Sequence, residues 1–209
     1  MTRVKICGIT NLEDAQIAID SGADAIGFNF YRDSKRFVDE RDAAVIIQRI
    51  QGAITTVGVF VNHSIAEILE TQSIAKFDVI QLHGDETQRF VNELRSETNS
   101  KIIKAFRVSA EFDVESVDRY NVDAVLLDSF SIMEYGGTGN TLDWNIAAKA
   151  AARFSDVYLA GGLTPDNVAL AIRKVKPSSV DVASGVESSP GKKDPSRVAA
   201  FIKSAKEAI

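Results

Sequence analysis

Short runs rich in Val, Ile and Phe alternate along this chain with longer stretches of helical periodicity, and the alternation repeats eight times. This pattern constrains the fold most, because a strand followed by a helix followed by another strand makes a right-handed crossover and hence a parallel sheet. The predicted strands are Arg3–Cys7, Ala25–Phe30, Thr55–Phe60, Asp78–Leu82, Lys101–Phe106, Asp123–Asp128, Asp156–Ala160 and Ser179–Val182. Several are apolar almost throughout, as strands covered on both faces must be. Eight units in 209 residues leave about 26 residues for each, near the lower limit for a closed (β/α)8 barrel. A doubly wound open sheet is the structural rival, but the first strand carries no G-x-G-x-x-G fingerprint. The reading is therefore α/β, a single-domain (β/α)8 TIM barrel over residues 1–209, with no linker to divide it.

Local signals mark where the helices start. Thr10 followed by Glu13 has the spacing of a capping box, Leu12, Ala15, Ala18 and Ile19 repeat at helical spacing, and Gly22 supplies the stop. Thr164-Pro165 and Asp194-Pro195 each place a capping side chain before a proline at the first helical position. Val168, Ala171, Ile172 and Val175 form one apolar stripe, and Val198, Ile202 and Ala205 another. The weakest helical pattern is the fifth, near Ala110–Val117.

Charged residues are 25% and hydrophobic residues 45% of the chain, the balance of an ordinary globular protein. No apolar run is long enough to span a bilayer and no basic, then apolar, leader opens the chain, so the expectation is a cytoplasmic protein without a membrane partner. The net charge of -5 argues against nucleic acid as a partner, and any anionic ligand must be held locally. One cysteine and two histidines cannot build a Cys/His zinc cage, so no metal is expected. No helix face stands out as an unused apolar surface, which leaves monomer and homodimer both open.

A barrel does its chemistry at the carboxyl ends of its strands. The residues there are Cys7, Arg36 in the second loop, Asn62, His83, Arg107, Asp128, the pair Gly161-Gly162 and the pair Ser184-Gly185. Glycines after strands seven and eight let bare peptide N–H groups approach an oxyanion that a Cβ would hold away, and a short extra helix near Ser184 would add helix-start donors. Either glycine pair alone could be an ordinary turn. Both, in the two adjacent positions where barrels place a phosphate, point to a phosphorylated ligand.

A lone cysteine is more often a small buried residue than a reactive one. Cys7, however, ends the alternating strand VKI where a general base could reach a ligand, and Lys5 on the same face could help by lowering the thiol's affinity for its proton. Asp128 follows four apolar residues, where a carboxyl is costly without a partner or a task, and burial favours its neutral, acid form. The guanidinium of Arg36 suits a planar carboxylate. His83 in QLHGDE reads as a contact to the ligand and not as a catalyst. Gly136, Gly137 and Gly139 give the 129–142 loop hinge capacity, as in a lid over the site.

Taken in order, VKICGIT at 4–10, GFNF and SKR at 27–36, VGVFVN at 57–62, IQLHGDE at 80–86, LLDS at 126–129, GGTG at 136–139, LAGGLTPDNV at 159–168 and VDVASGVESSPGKKD at 180–194 resemble the phosphoribosylanthranilate isomerase family of tryptophan biosynthesis. The resemblance spans nearly the whole chain and implies an Amadori rearrangement of a small phosphosugar substrate, with no cofactor or metal. By similarity Cys7 is the general base, Asp128 the general acid, Arg36 lies near the anthranilate carboxylate, and Asp181 steadies the amino group. Two departures from the family pattern are Ala183, often serine, and Asn140, often lysine. The rival barrels, indole-glycerol-phosphate synthase and pentose-phosphate epimerase, need lysine and glutamate groups or a metal-holding aspartate pair. A non-enzymatic phosphate-binding barrel would bind without turnover.

Overall fold

The computed structural model describes residues 1–109, 111–129 and 144–208. Eight parallel strands, β1 (Arg3–Cys7), β2 (Ala25–Asn29), β3 (Thr55–Phe60), β4 (Val79–Leu82), β5 (Lys101–Val108), β6 (Ala124–Ser129), β7 (Val157–Leu159) and β8 (Ser179–Val182), close into a barrel in sequence order. Closure is made by β8 against β1, with Lys5 paired to Asp181. Around the barrel run α1 (Leu12–Asp20), α2 (Glu40–Ile50), α3 (Ile65–Ala75), α4 (Gln88–Glu97), α5 (Trp144–Arg153), α6 (Val168–Val175) and α7 (Pro195–Lys206). Among the described residues, the unit after β5 has a 3-10 helix, Val114–Arg119, in place of the weak fifth helix. A second 3-10 helix, Ser184–Val186, follows β8 and leads into the small hairpin of β9 (Glu187–Ser189) and β10 (Lys192–Lys193). No helix among the described residues is long and apolar enough to cross a membrane.

Strand alternation sorts the buried side chains into two cores. Val4, Ile6, Ile26, Phe28, Ile80, Leu82, Val125, Leu127, Val180 and Val182 face outward and pack with the helices. Ala25, Val57, Val59, Val79, Ile103, Ala105, Ala124, Leu126 and Ala160 fill the barrel interior. Interior residues are mostly small, which leaves room on the same faces for Lys5, Gln81, Asp128 and Asp181, all buried.

The opposite end of the barrel is held by a repeated polar device. The residue just before each even strand binds the preceding odd strand: Asp24 accepts from the Val4 N–H at 2.8 Å, Asp78 from the Thr56 N–H at 2.8 Å, and Asp123 from the Ile102 N–H at 2.8 Å. In the fourth pair Ser178 takes the place of aspartate and its hydroxyl accepts from the Val157 N–H at 2.8 Å. The backbone N–H of each aspartate also donates to the carbonyl of the same partner residue. Each pair is thus pinned at two points, which satisfies backbone groups that the strand ladder leaves unused.

Two helix starts differ from the sequence expectation. The cap of α1 is Asn11, whose side chain accepts from the Asp14 N–H, and not Thr10 with Glu13, because the Thr10 hydroxyl donates to the Gly191 carbonyl 2.7 Å away. Thr164-Pro165 opens a turn and not a helix: the Asn167 side chain accepts from the Thr164 N–H, and α6 begins only at Val168. At α7 the expectation holds, with Asp194 capping the Arg197 N–H and Pro195 in the first helical position. Gly22 has φ of +87° and ends α1 as read. The stripes of α6 and α7 are buried as expected.

Candidate active site

One pocket opens at the carboxyl ends of the strands, about 740 Å³ of empty space with its mouth included. Its lining brings together every proposed catalytic and binding residue outside the glycine-rich loop: Cys7, Arg36, His83, Asp128, Gly161, Gly162, Asp181, Ser184 and Gly185. Gly136, Gly137 and Gly139 lie outside the described residues. Asn62 and Arg107 turn to a neighbouring loop instead. The Asn62 side chain accepts from the Asp85 N–H at 2.7 Å, and Arg107 donates to the Asp85 carboxylate at 2.9 Å.

The glycine pairs meet as the fold demands. Gly161 and Gly162 have φ of +85° and +64°, the left-handed region that glycine enters without strain. A Cβ on Gly185 would lie 1.9 Å from the Leu163 carbonyl oxygen, so the loops after β7 and β8 pack backbone to backbone. The 3-10 helix starting at Ser184 sits at this junction. Asn167 braces the first of these loops by donating to the Gly162 carbonyl at 2.9 Å.

Behind the pocket wall the fully buried Lys5 forms an ion pair with Asp181 at 2.9 Å. Burial works against the Lys5 charge, but Asp181 and the Cys7 sulfur beside it outweigh that and hold the ammonium above its ordinary pKa. The Cys7 thiol is not depressed, contrary to the sequence expectation: burial pushes it up, and Lys5 and Lys193 offset this only in part. This crowding depends on Gly27 of β2, where an added Cβ would fall 2.9 Å from Cys7 Sγ and 3.1 Å from Lys5 Nζ.

Arg36 folds across Gly8, whose missing Cβ leaves room for its methylenes, and reaches Glu187 through two parallel hydrogen bonds, Nε to Oε1 and Nη2 to Oε2, both 2.8 Å. Lys193 donates to the same carboxylate at 3.0 Å and to the Cys7 carbonyl at 2.6 Å. Burial would raise the Glu187 pKa, yet Arg36 and Lys193 hold it below the usual carboxylate range. The hairpin after β8 therefore ties the β2 loop to the end of β1. Glu187 and Lys193 were within the quoted VESSPGKKD stretch, but nothing local in that stretch shows that they close on Arg36 and Cys7.

His83 lies between two interior groups. Its Nε2 is 3.2 Å from Asp128 Oδ2 and its Nδ1 is 2.9 Å from Gln81 Nε2. A thiol, two carboxyls, an imidazole and a guanidinium thus line a cavity together with the glycine loops after β7 and β8.

Fold and pocket together define a (β/α)8-barrel enzyme with acid–base groups beside a candidate phosphate subsite. The family model for N-(5'-phosphoribosyl)anthranilate (PRA) isomerase matches residues 4–204. The chain belongs to this family. The N-(5'-phosphoribosyl)anthranilate isomerase of Pelobacter propionicus is 50% identical over 207 residues, covering 99% of this chain and 97% of its own. The crystal structure of phosphoribosyl anthranilate isomerase from Thermotoga maritima superposes with a TM-score of 0.91 at 43% identity, covering 99% of both chains. A further structure of such an isomerase, in complex with reduced 1-(o-carboxyphenylamino)-1-deoxyribulose 5-phosphate, gives 0.87 at 43% identity, again over 99% of both chains.

Proposed function

We propose that this chain converts N-(5-phosphoribosyl)anthranilate to 1-(2-carboxyphenylamino)-1-deoxyribulose 5-phosphate, with Asp128 as general acid and Cys7 as general base. The observation that carries these roles is that the two side chains line one pocket at the catalytic end of the barrel, within a frame of candidate anchors for both ends of the substrate.

Asp128 delivers a proton to the ring oxygen while the anilino nitrogen pushes electrons inward, which opens the furanose and leaves an iminium. The neighbouring C2 hydrogen is then acidic, and Cys7 removes it as thiolate. The enolamine so formed tautomerises to the ketone. Lys5, charged and adjacent, favours the thiolate at the moment it is needed, and the Lys5–Asp181 pair keeps that charge in place. The loops at Gly161-Gly162 and Ser184-Gly185 hold the phosphate through peptide N–H groups. Arg36, braced by Glu187, meets the anthranilate carboxylate at the other end. Asp181 steadies the amino group from beside Lys5.

The test generates the unstable substrate in situ and follows loss of its anthranilate fluorescence. Cys7→Ser and Asp128→Asn are each expected to lower kcat by at least about a hundredfold, the low end for general acid–base groups. Near wild-type rates for both variants would overturn the assigned roles.

A further inference from the structure

Gln81 stands on β4 two residues before His83, so strand alternation turns both side chains into the barrel. Gln81 is fully buried. Its Nε2 lies 2.9 Å from His83 Nδ1, and its Oε1, also buried, has no hydrogen-bond partner among the described residues. An amide nitrogen can only donate. With the amide nitrogen turned to His83, as in this structure, Nδ1 accepts, and a neutral imidazole whose Nδ1 accepts carries its proton on Nε2. That Nε2 faces Asp128 Oδ2 at 3.2 Å. The geometry points to Gln81 as a positioning residue for the acid step: it locks His83 in the Nε2–H tautomer, which donates to the carboxylate left on Asp128 when its proton departs.

The chemistry favours this direction. When Asp128 gives up its proton, negative charge appears on a buried carboxyl, and a donor already aimed at it needs no reorganisation. The opposite tautomer would present a lone pair to that charge and oppose the transfer. A methionine or leucine at position 81 would fill the same interior space without leaving a buried amide oxygen unpaired. The orphaned oxygen is thus the cost of what the other end of the amide does.

This inference rests on Asp128 being the acid, and its test separates the two. Nitrogen-15 NMR of the imidazoles reads the tautomer directly in the wild-type protein, and a His63→Asn variant assigns the signals because the chain has only two histidines. His83 is expected to show a protonated Nε2 and a bare Nδ1. Gln81→Glu, which places a carboxylate oxygen against Nδ1 and demands a proton there, is expected to move the proton to Nδ1 and lower kcat about tenfold or more, with KM changed less than about twofold. Gln81→Met is expected to give mixed tautomers and a smaller loss in kcat. A proton on Nδ1 in the wild type, or an unchanged kcat in both variants, overturns the proposal whether or not Asp128→Asn is inactive. If Asp128→Asn is itself fully active, the acid step and this proposal fall together.

Discussion

At the scale of single residues, two side chains of the candidate site share a space that one glycine leaves open. Adding a methyl group at Gly27 meets both Cys7 Sγ and Lys5 Nζ, so Gly27→Ala is expected to lower kcat by about tenfold or more while the fold survives, as read by circular dichroism and the fluorescence assay. The Cys7 thiol is held up by burial, so the unliganded protein carries mostly thiol at neutral pH. Because kcat/KM reports the free enzyme, it is expected to rise as pH increases from about 7 to 9. A flat profile would remove Cys7 as the base. Replacing Gly162, at φ +64°, with a bulky residue is expected to raise KM, since the loop would lose the conformation on which the proposed phosphate contact depends. Cys7 and Asp128 were legible from their places at strand ends. The upward push on Cys7 was not, because burial is a property of the closed barrel and not of the VKICG stretch.

At the scale of elements, three of the eight strands, β1, β3 and β8, begin and end where periodicity places them, while β7 is trimmed to Val157–Leu159. At the start of α1 two local signals compete and a distant contact decides between them. Thr10 and Asn11 are both good caps, but the Thr10 hydroxyl is taken by the Gly191 carbonyl, 181 residues away in sequence, which leaves the cap to Asn11. The paired clamps at the far end of the barrel belong to this scale too. Asp78 accepts from both the N–H and the hydroxyl of Thr56 at 2.8 Å, so Asp78→Ala is expected to cost about 1–3 kcal/mol in urea unfolding with activity per folded molecule unchanged. An equal loss of activity per folded molecule would mean that the two ends of the barrel are coupled.

At the scale of the whole molecule, closure of β8 on β1 joins the two ends of the chain into one barrel, and unfolding is expected to be a single cooperative transition. Two separated transitions by calorimetry would contradict one domain. Acid weakens this structure in a stated direction. Glu187 and Asp123 have folded pKa values below their ordinary ones, against the opposing effect of burial. Between the folded and unfolded values the unfolded chain binds more protons, so their stabilisation is present above the ordinary carboxylate range, near 4, and is lost as pH falls through the folded values. Urea midpoints are therefore expected to drop below about pH 4.5, and less steeply in Glu187→Gln.

The central claim, that Cys7 takes the C2 hydrogen of a sugar opened by Asp128, is tested most directly with substrate deuterated at C2. The wild type is expected to turn over more slowly on the deuterated substrate, and Cys7→Ser is expected to consume it at about one per cent of the wild-type rate or less, the unreacted substrate keeping its label at C2. Loss of deuterium by Cys7→Ser at the wild-type rate would contradict the account.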